Sequence, residues 1–312
     1  MRTAVGTAAG VGALVLASFL LAPSAGASAR VSDPAPNSSA SPTPSPSPSP
    51  SATTSDVRIR TFAYGTHVRQ RMDVWWHETG PRRPAVFVIH GGWWSGGDKK
   101  YMTSVSRSFS QLGYTVVNLD YRLSGDAAWP AQRADTLDVI ATVRRHAEQF
   151  NTDPDRYVLL GFSAGGHLAT AAGAYGDGLP GLRGVVGISP VVSPLTAYAD
   201  GQGDGASLEQ RKLRKAAIVL AGGCSPRQCP AVWSSMEVPY HATAGDAPVM
   251  TVHSADEFVP PYQSGTLKQA LAEVGVPMTV KTMPGTQHSA PLYREPGVAD
   301  AVQKWVADRL GH

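Results

Sequence analysis

One stretch leaves the chain little choice of fold: Arg156-Tyr157-Val158-Leu159-Leu160-Gly161 runs directly into Phe162-Ser163-Ala164-Gly165-Gly166. The first six residues predict a buried strand, and the small residues from about Gly165 to Tyr175 predict a helix packed close against it. Between them lies a G-x-S-x-G, Gly161 to Gly165. A strand that becomes a helix within two residues forces a strained backbone on the serine, and glycines on either side avoid collisions there. The Ser163 hydroxyl then projects above the sheet at the positive end of a helix, where it can act as a nucleophile. A glycine-rich turn with an incidental serine is the competing reading, and it weakens as partners accumulate.

The surrounding sequence alternates apolar β-rich runs with helical stretches, the pattern of a mostly parallel sheet covered on both faces. Strands are predicted over Val57 to Tyr64, Gln70 to Trp76, Ala85 to His90, Thr115 to Asp120, Arg156 to Gly161, Gly184 to Ile188, Val249 to His253 and Met278 to Thr282. Helices are predicted over Pro130 to Phe150, Gly165 to Tyr175, Gln263 to Val274 and Gly297 to Leu310, with Pro154 read as a stop before the Ser163 strand. Residues 189–244 break the rhythm with Gly, Pro and Asp and one helix near Leu208 to Ala221. This cap-like insert after the sixth strand is expected to cover the site.

Three segments result: a leader at 1–29, a linker at 30–56 and a catalytic domain at 57–312. Arg2, the apolar run from about Val11 to Ala22 and the small residues through Ala29 have the order of a secretory signal. The run is short for a membrane span, so a secreted protein, free of the membrane after processing, is expected. From Ser32 to Ser55 the chain is Pro, Ser, Thr and Ala, an extended tether without a core that suits association with a cell wall. Charged residues are only 16% of the chain, the formal charge is +3, and the basic pairs are scattered, so nucleic acid is not an expected partner. Cys224 and Cys229 are expected to pair as a loop-closing disulfide, since two sulfurs without nearby histidines leave a metal half coordinated. Asp200 to Gly205 lacks the later bidentate glutamate of a calcium loop and reads as a flexible acidic turn. No metal or organic cofactor is expected.

A second cluster, His90-Gly91-Gly92-Trp93-Trp94, follows the third strand. Backbone N–H groups of Gly91, Gly92 and Trp93, with that of Ala164, are the candidate oxyanion hole, each worth about 3 kcal/mol to a tetrahedral intermediate. His90 reads as a loop anchor.

With the Ser163 turn, this loop and Asp120-Tyr121-Arg122-Leu123 in view, the chain from Ala85 onward resembles the α/β-hydrolase superfamily, in its esterase branch related to hormone-sensitive lipase. The resemblance implies an α/β-hydrolase fold and the chain order Ser, acid, His. His288, in the loop after the last strand, becomes the implied base. Asp256 becomes the implied acid, because Asp256-Glu257-Phe258-Val259-Pro260 matches the family's D-x-x-V-P, with Glu257 as its rival. His253 is read as structural. Trp93 stands where the family's loop carries a third glycine, so Trp93, Trp94 and Tyr121 are the candidate pocket residues. The implied activity is hydrolysis of carboxylic esters through an acyl-enzyme, on small-molecule or polysaccharide-linked esters with short to medium acyl groups. An amidase or peptidase on the same triad, and a binding protein on a hydrolase scaffold, are the alternatives.

Overall fold

A computed structural model of the chain describes residues 57–311; the expected leader and linker lie outside the described residues. The described chain builds one eight-stranded sheet: β1 (Val57–Ala63), β2 (Arg71–His77), β3 (Arg83–Ile89), β4 (Thr115–Leu119), β5 (Thr152–Phe162), β6 (Leu182–Ile188), β7 (Val249–Ser254) and β8 (Met278–Met283). Their order is β1-β2-β4-β3-β5-β6-β7-β8. The first two strands pair antiparallel with each other and β2 pairs antiparallel with β4, while every pairing from β4 to β8 is parallel. This is the mostly parallel α/β-hydrolase sheet that the sequence predicts.

The pleat sorts alternate residues to opposite faces. Ala85, Phe87 and Ile89 of β3 and Tyr157 and Leu159 of β5 join one buried cluster, whereas Val86, Val88, Val158, Leu160 and Phe162 join the other. Helices cover both layers: α1 (Thr103–Gln111), α2 (Ala131–Arg145), α3 (Ala164–Gly173), α4 (Pro194–Asp200), α5 (Leu208–Leu220), α6 (Pro230–Met236), α7 (Tyr262–Glu273), α8 (Ala290–Tyr293) and α9 (Val298–Leu310). The first cluster is closed by Val139, Ile140 and Val143 of α2, Leu168 of α3, and Leu267 and Leu271 of α7. Phe109 of α1 and Val298, Val302, Val306 and Leu310 of α9 close the second, the last four at a spacing of four residues that marks one helix face.

Several boundaries differ from the sequence reading. Strand β5 starts at Thr152 and includes Pro154, which the sequence reads as a stop. The register with β3 slips between Arg83 and Ala85, and this irregularity gives the proline a place where no ladder donor is needed. Helix α1 escapes the sequence reading because Ser106 and Ser110 share its buried face with Val105 and Phe109, which masks the apolar periodicity. The insert carries α4 and α6 besides the expected α5; both are seven-residue helices too short to show a period. Cys224 and Cys229 are joined by a disulfide between α5 and α6, as expected.

Candidate active site

Strand β5 and helix α3 meet at Ser163, whose backbone has φ 53° and ψ −116°. The close packing that this turn demands is visible in its glycines. A Cβ on Gly161 would lie 2.1 Å from the Gly165 carbonyl oxygen, and one on Gly165 would lie 2.3 Å from that of Ile89. Neither contact is physically possible, so both positions must be glycine for the turn to close.

His288 reaches the same point from the loop after β8. Its Nε2 lies 2.8 Å from Ser163 Oγ. The loop is pinned on both sides of the histidine: Ser254 Oγ donates to the Gln287 carbonyl at 2.5 Å, and the Ser289 amide donates to Ser189 Oγ at 2.9 Å. The imidazole is therefore held in place before any substrate arrives.

The carboxylate on the far side of His288 belongs to Glu257. His288 Nδ1 hydrogen-bonds to Glu257 Oε2. Asp256, the acid implied by the D-x-x-V-P match, is exposed, and its amide donates to the Gly285 carbonyl at 3.0 Å. This corrects the sequence reading, and the physical reason lies in the turn after β7, which faces Glu257 inward and leaves Asp256 at the surface. The signal was present in the spacing: the fuller family pattern that the chain resembles, H-G-x-x-D-x-x-V-P, sets its acid four residues after the histidine, and Glu257 stands four after His253, so the shortened gap falls between the acid and Val259-Pro260. Glu257 is buried, which by itself penalises its charge, but hydrogen bonds from His253 and His288 outweigh burial and hold its carboxyl below the usual range.

A cleft of about 240 Å³ opens beside Ser163, lined by His90, Gly91, Gly92, Trp93, Met102, Phe258 and His288 among others. Three of the four expected oxyanion-hole residues thus border the cleft. The fourth, Ala164, is the first residue of α3, so its amide has no partner within the helix. Gly91 abuts the Ser163 turn so tightly that a Cβ there would lie 2.7 Å from the Phe162 carbonyl oxygen. Beneath the loop, His90 Nε2 lies 3.2 Å from Asp120 Oδ1, and its ring stacks on Tyr121 at 4.5 Å. Asp120 also accepts from the Lys99 amide at 2.7 Å and from Arg69 at 3.2 Å. Burial opposes the Asp120 charge, yet the bonds from His90 and the Lys99 amide keep its carboxyl below the usual range. His90 is thus a loop anchor, as its sequence context suggests, and Arg69 is an anchor that sequence reasoning missed.

The sequence model of the BD-FAE family matches residues 72–271. The chain belongs to the BD-FAE family. Among curated proteins it is similar to the esterase LipC of Mycobacterium tuberculosis, 32% identical over 120 residues, which is 38% of this chain and 30% of that protein. It is also similar to versiconal hemiacetal acetate esterase of Dothistroma septosporum, 36% identical over 130 residues, 39% of either protein. These alignments span well under half the length of those curated relatives. Among solved structures, a truncated carbohydrate esterase from gut microbiota superposes with a TM-score of 0.68 at 22% identity, over 83% of this chain and 99% of that one. That likeness shows the shared α/β-hydrolase fold.

In this BD-FAE chain the three expected pocket aromatics separate. Trp93 lines the cleft, with its ring stacked on Phe258 at 5.2 Å and Lys212 of α5 placed 4.6 Å above it. Phe258 in turn packs 4.2 Å from the His288 ring, so the insert, the wall of the cleft and the histidine form one column. Trp94 and Tyr121 are fully buried and do not line the cleft, which corrects the sequence reading. Trp94 donates from Nε1 to His167 Nδ1 at 3.1 Å, and Tyr121 donates from its hydroxyl to the His90 carbonyl at 3.1 Å. Both support the loop from behind. His167 Nε2 lies 2.8 Å from the Met236 carbonyl, and burial pushes its imidazole down to about 4, so it stays uncharged while joining the loop, α3 and the insert. On the outer side of His288 a second cavity of about 440 Å³ is lined by Ser207, Glu209 and Gln210 of the insert with Asp256 and Thr286. The insert, expected to cover the site, borders it on this outer side.

Proposed function

We propose that the protein is an exported carboxylic ester hydrolase in which Ser163 is the nucleophile, His288 the general base and acid, and Glu257 the acid that orients His288. The observation that carries this reading is the line from Ser163 Oγ through His288 to the buried Glu257 carboxylate. The BD-FAE match and the esterase names of the similar curated proteins support it.

In this mechanism His288 takes the Ser163 proton as Oγ attacks the ester carbonyl, and Glu257 stabilises the imidazolium that forms. Amides at Gly91, Gly92, Trp93 and Ala164 surround the developing oxyanion, and removing one such donor costs roughly 3 kcal/mol of the barrier reduction. His288 then returns its proton to the departing alkoxide, and water repeats the cycle on the acyl-enzyme.

The cleft, walled by Trp93, Phe258 and Met102, favours short to medium acyl groups. The outer cavity presents Ser207, Glu209, Gln210 and Thr286, groups suited to a hydroxylated alcohol such as a polysaccharide. Export is supported by the leader-like order of residues 1–29, and the Pro/Ser-rich stretch that follows suits association with a cell wall. The test is a panel of p-nitrophenyl esters of rising acyl length beside acetylated xylan, with the mature N-terminus read from culture medium. Turnover of short esters that vanishes in Ser163→Ala is expected. Absence of turnover at every acyl length would remove the reading, and an uncleaved, cell-retained chain would remove export.

A further inference from the structure

The acid of this site has a second histidine that the mechanism above does not use. His253, on β7, is fully buried, with Nδ1 2.9 Å from Glu257 Oε1 and 3.2 Å from the Val259 carbonyl. Two acceptors face that nitrogen, so it carries the ring proton and donates. On the opposite edge Nε2 lies 2.7 Å from Ser264 Oγ of α7, and the Ser264 hydroxyl can donate into it. Glu257 Oε1 accepts a further bond from the Ser254 amide at 3.1 Å. One carboxylate oxygen is thus fully engaged by the fold, and only Oε2 is left for His288.

We propose that His253, its Nδ1 proton set by the Glu257 and Val259 acceptors and its ring held in place by Ser264, is a positioning residue that fixes the Glu257 carboxylate so that Oε2 faces His288, and that it sets how much of the carboxylate's charge His288 feels. The inference rests on the esterase reading for its effect on turnover. Among the described residues, the ionisable groups hydrogen-bonded to Glu257 are His253 from β7 and His288 from the loop after β8; Glu209 of the insert and Asp256 line the outer cavity that Glu257 and His288 also border, and the Ser264 hydroxyl of α7 meets His253 and not the carboxylate. A carboxylate that shares its charge with two imidazoles is a weaker partner to each than one that serves a single imidazole. Removing the His253 donor has two consequences. The carboxylate is free to rotate, which misplaces His288, and its whole charge falls on His288, which makes that imidazole more basic.

The experiment compares the full chain with His253→Leu, His253→Asn and Ser264→Ala. Leucine removes the donor, asparagine keeps an N–H near the Nδ1 position, and the alanine removes only the bond that holds the ring at Nε2. Turnover of p-nitrophenyl acetate is followed across the histidine titration range. His253→Leu is expected to lower kcat roughly tenfold to a hundredfold with KM little changed, the scale of a misplaced catalytic group. The acidic limb of its pH profile is expected to move to higher pH. His253→Asn is expected to recover most of the loss and Ser264→Ala to fall between. A purely structural histidine would leave the limb where it was.

An unmoved limb in His253→Leu, or an equal loss in His253→Asn, overturns the proposal. Should His253→Leu fail to fold, Ser264→Ala decides in its place: a shifted limb supports the proposal and an unmoved one overturns it. Proton NMR of the substrate-free proteins separates this outcome from failure of the esterase reading. The far-downfield His288 Nδ1–H resonance is expected to shift in His253→Leu or Ser264→Ala even if no ester is turned over, and an unchanged resonance overturns the coupling.

Discussion

The carboxylate of Glu257 is bonded to Nδ1 of His288, while Asp256, its neighbour in sequence, lies exposed. Glu257→Gln keeps the shape and removes the charge, leaving an amide that can donate into Nδ1 and favour the wrong tautomer. We expect kcat to fall by about three to four orders of magnitude. Asp256→Asn should stay within about twofold of the parent, because a solvated surface carboxylate contributes little. Steady-state kinetics on one short ester for both variants decides the assignment. A larger loss in Asp256→Asn would reverse it.

Trp93 has φ 60°, a backbone that suits glycine better than tryptophan. Trp93→Gly should therefore keep the loop while deleting the ring that stacks on Phe258 and lies beneath Lys212. The exposed cation–π contact is worth only about 0.5–1 kcal/mol, so the fold should survive. The kcat/KM ratio for hexanoate over acetate esters is expected to rise roughly tenfold, on the scale of added methylenes in an apolar pocket. A ratio that stays flat would mean that the acyl chain does not lie against Trp93.

Burial holds His167 uncharged down to about pH 4, against 6.5 for the same group in an unfolded chain. The unfolded state binds the extra proton first, so this contribution to stability is complete above pH 6.5 and is lost as pH falls toward 4. Its size is roughly 3 kcal/mol. Denaturant titrations over that interval should show a falling midpoint for the parent and a shallower fall for His167→Gln. Equal slopes would mean that His167 does not drive the acid sensitivity.

Glu237 gives the opposite sign. It accepts from Ser193 Oγ at 2.6 Å and the Leu195 amide at 2.7 Å, yet burial pushes its carboxyl up to about 7 from 4.5. The folded state holds this proton longer, so the contribution is present below pH 4.5 and disappears as pH rises through 7. Glu237→Gln should raise Tm by a few degrees in alkaline buffer and leave it nearly unchanged in acid. A loss of Tm confined to alkaline buffer would show instead that the ionised carboxylate stabilises the insert.

Much of this protein was legible in its sequence because the governing physics is local. Gly161 to Gly165 read as a strand-to-helix turn because backbone collisions allow only glycine at its two ends, and the apolar runs read as a parallel sheet because both faces of such a sheet are buried. His288 followed from chain order once that sheet was recognised. The spacing before the acid and the spacing after it point to different members of an adjacent pair, Glu257 and Asp256, and only the fold decides which side chain points inward. Asp256 and Glu257 carry the same charge, and only the packing of His253 against Ser264 and the turn after β7 selects Glu257. Trp93 and Trp94 are chemically identical, and only tertiary packing leaves one at the cleft and buries the other against His167. Local sterics determine the turn that presents Ser163, whereas orientation around the site depends on contacts between β7, α3, α7 and the insert that no short segment contains.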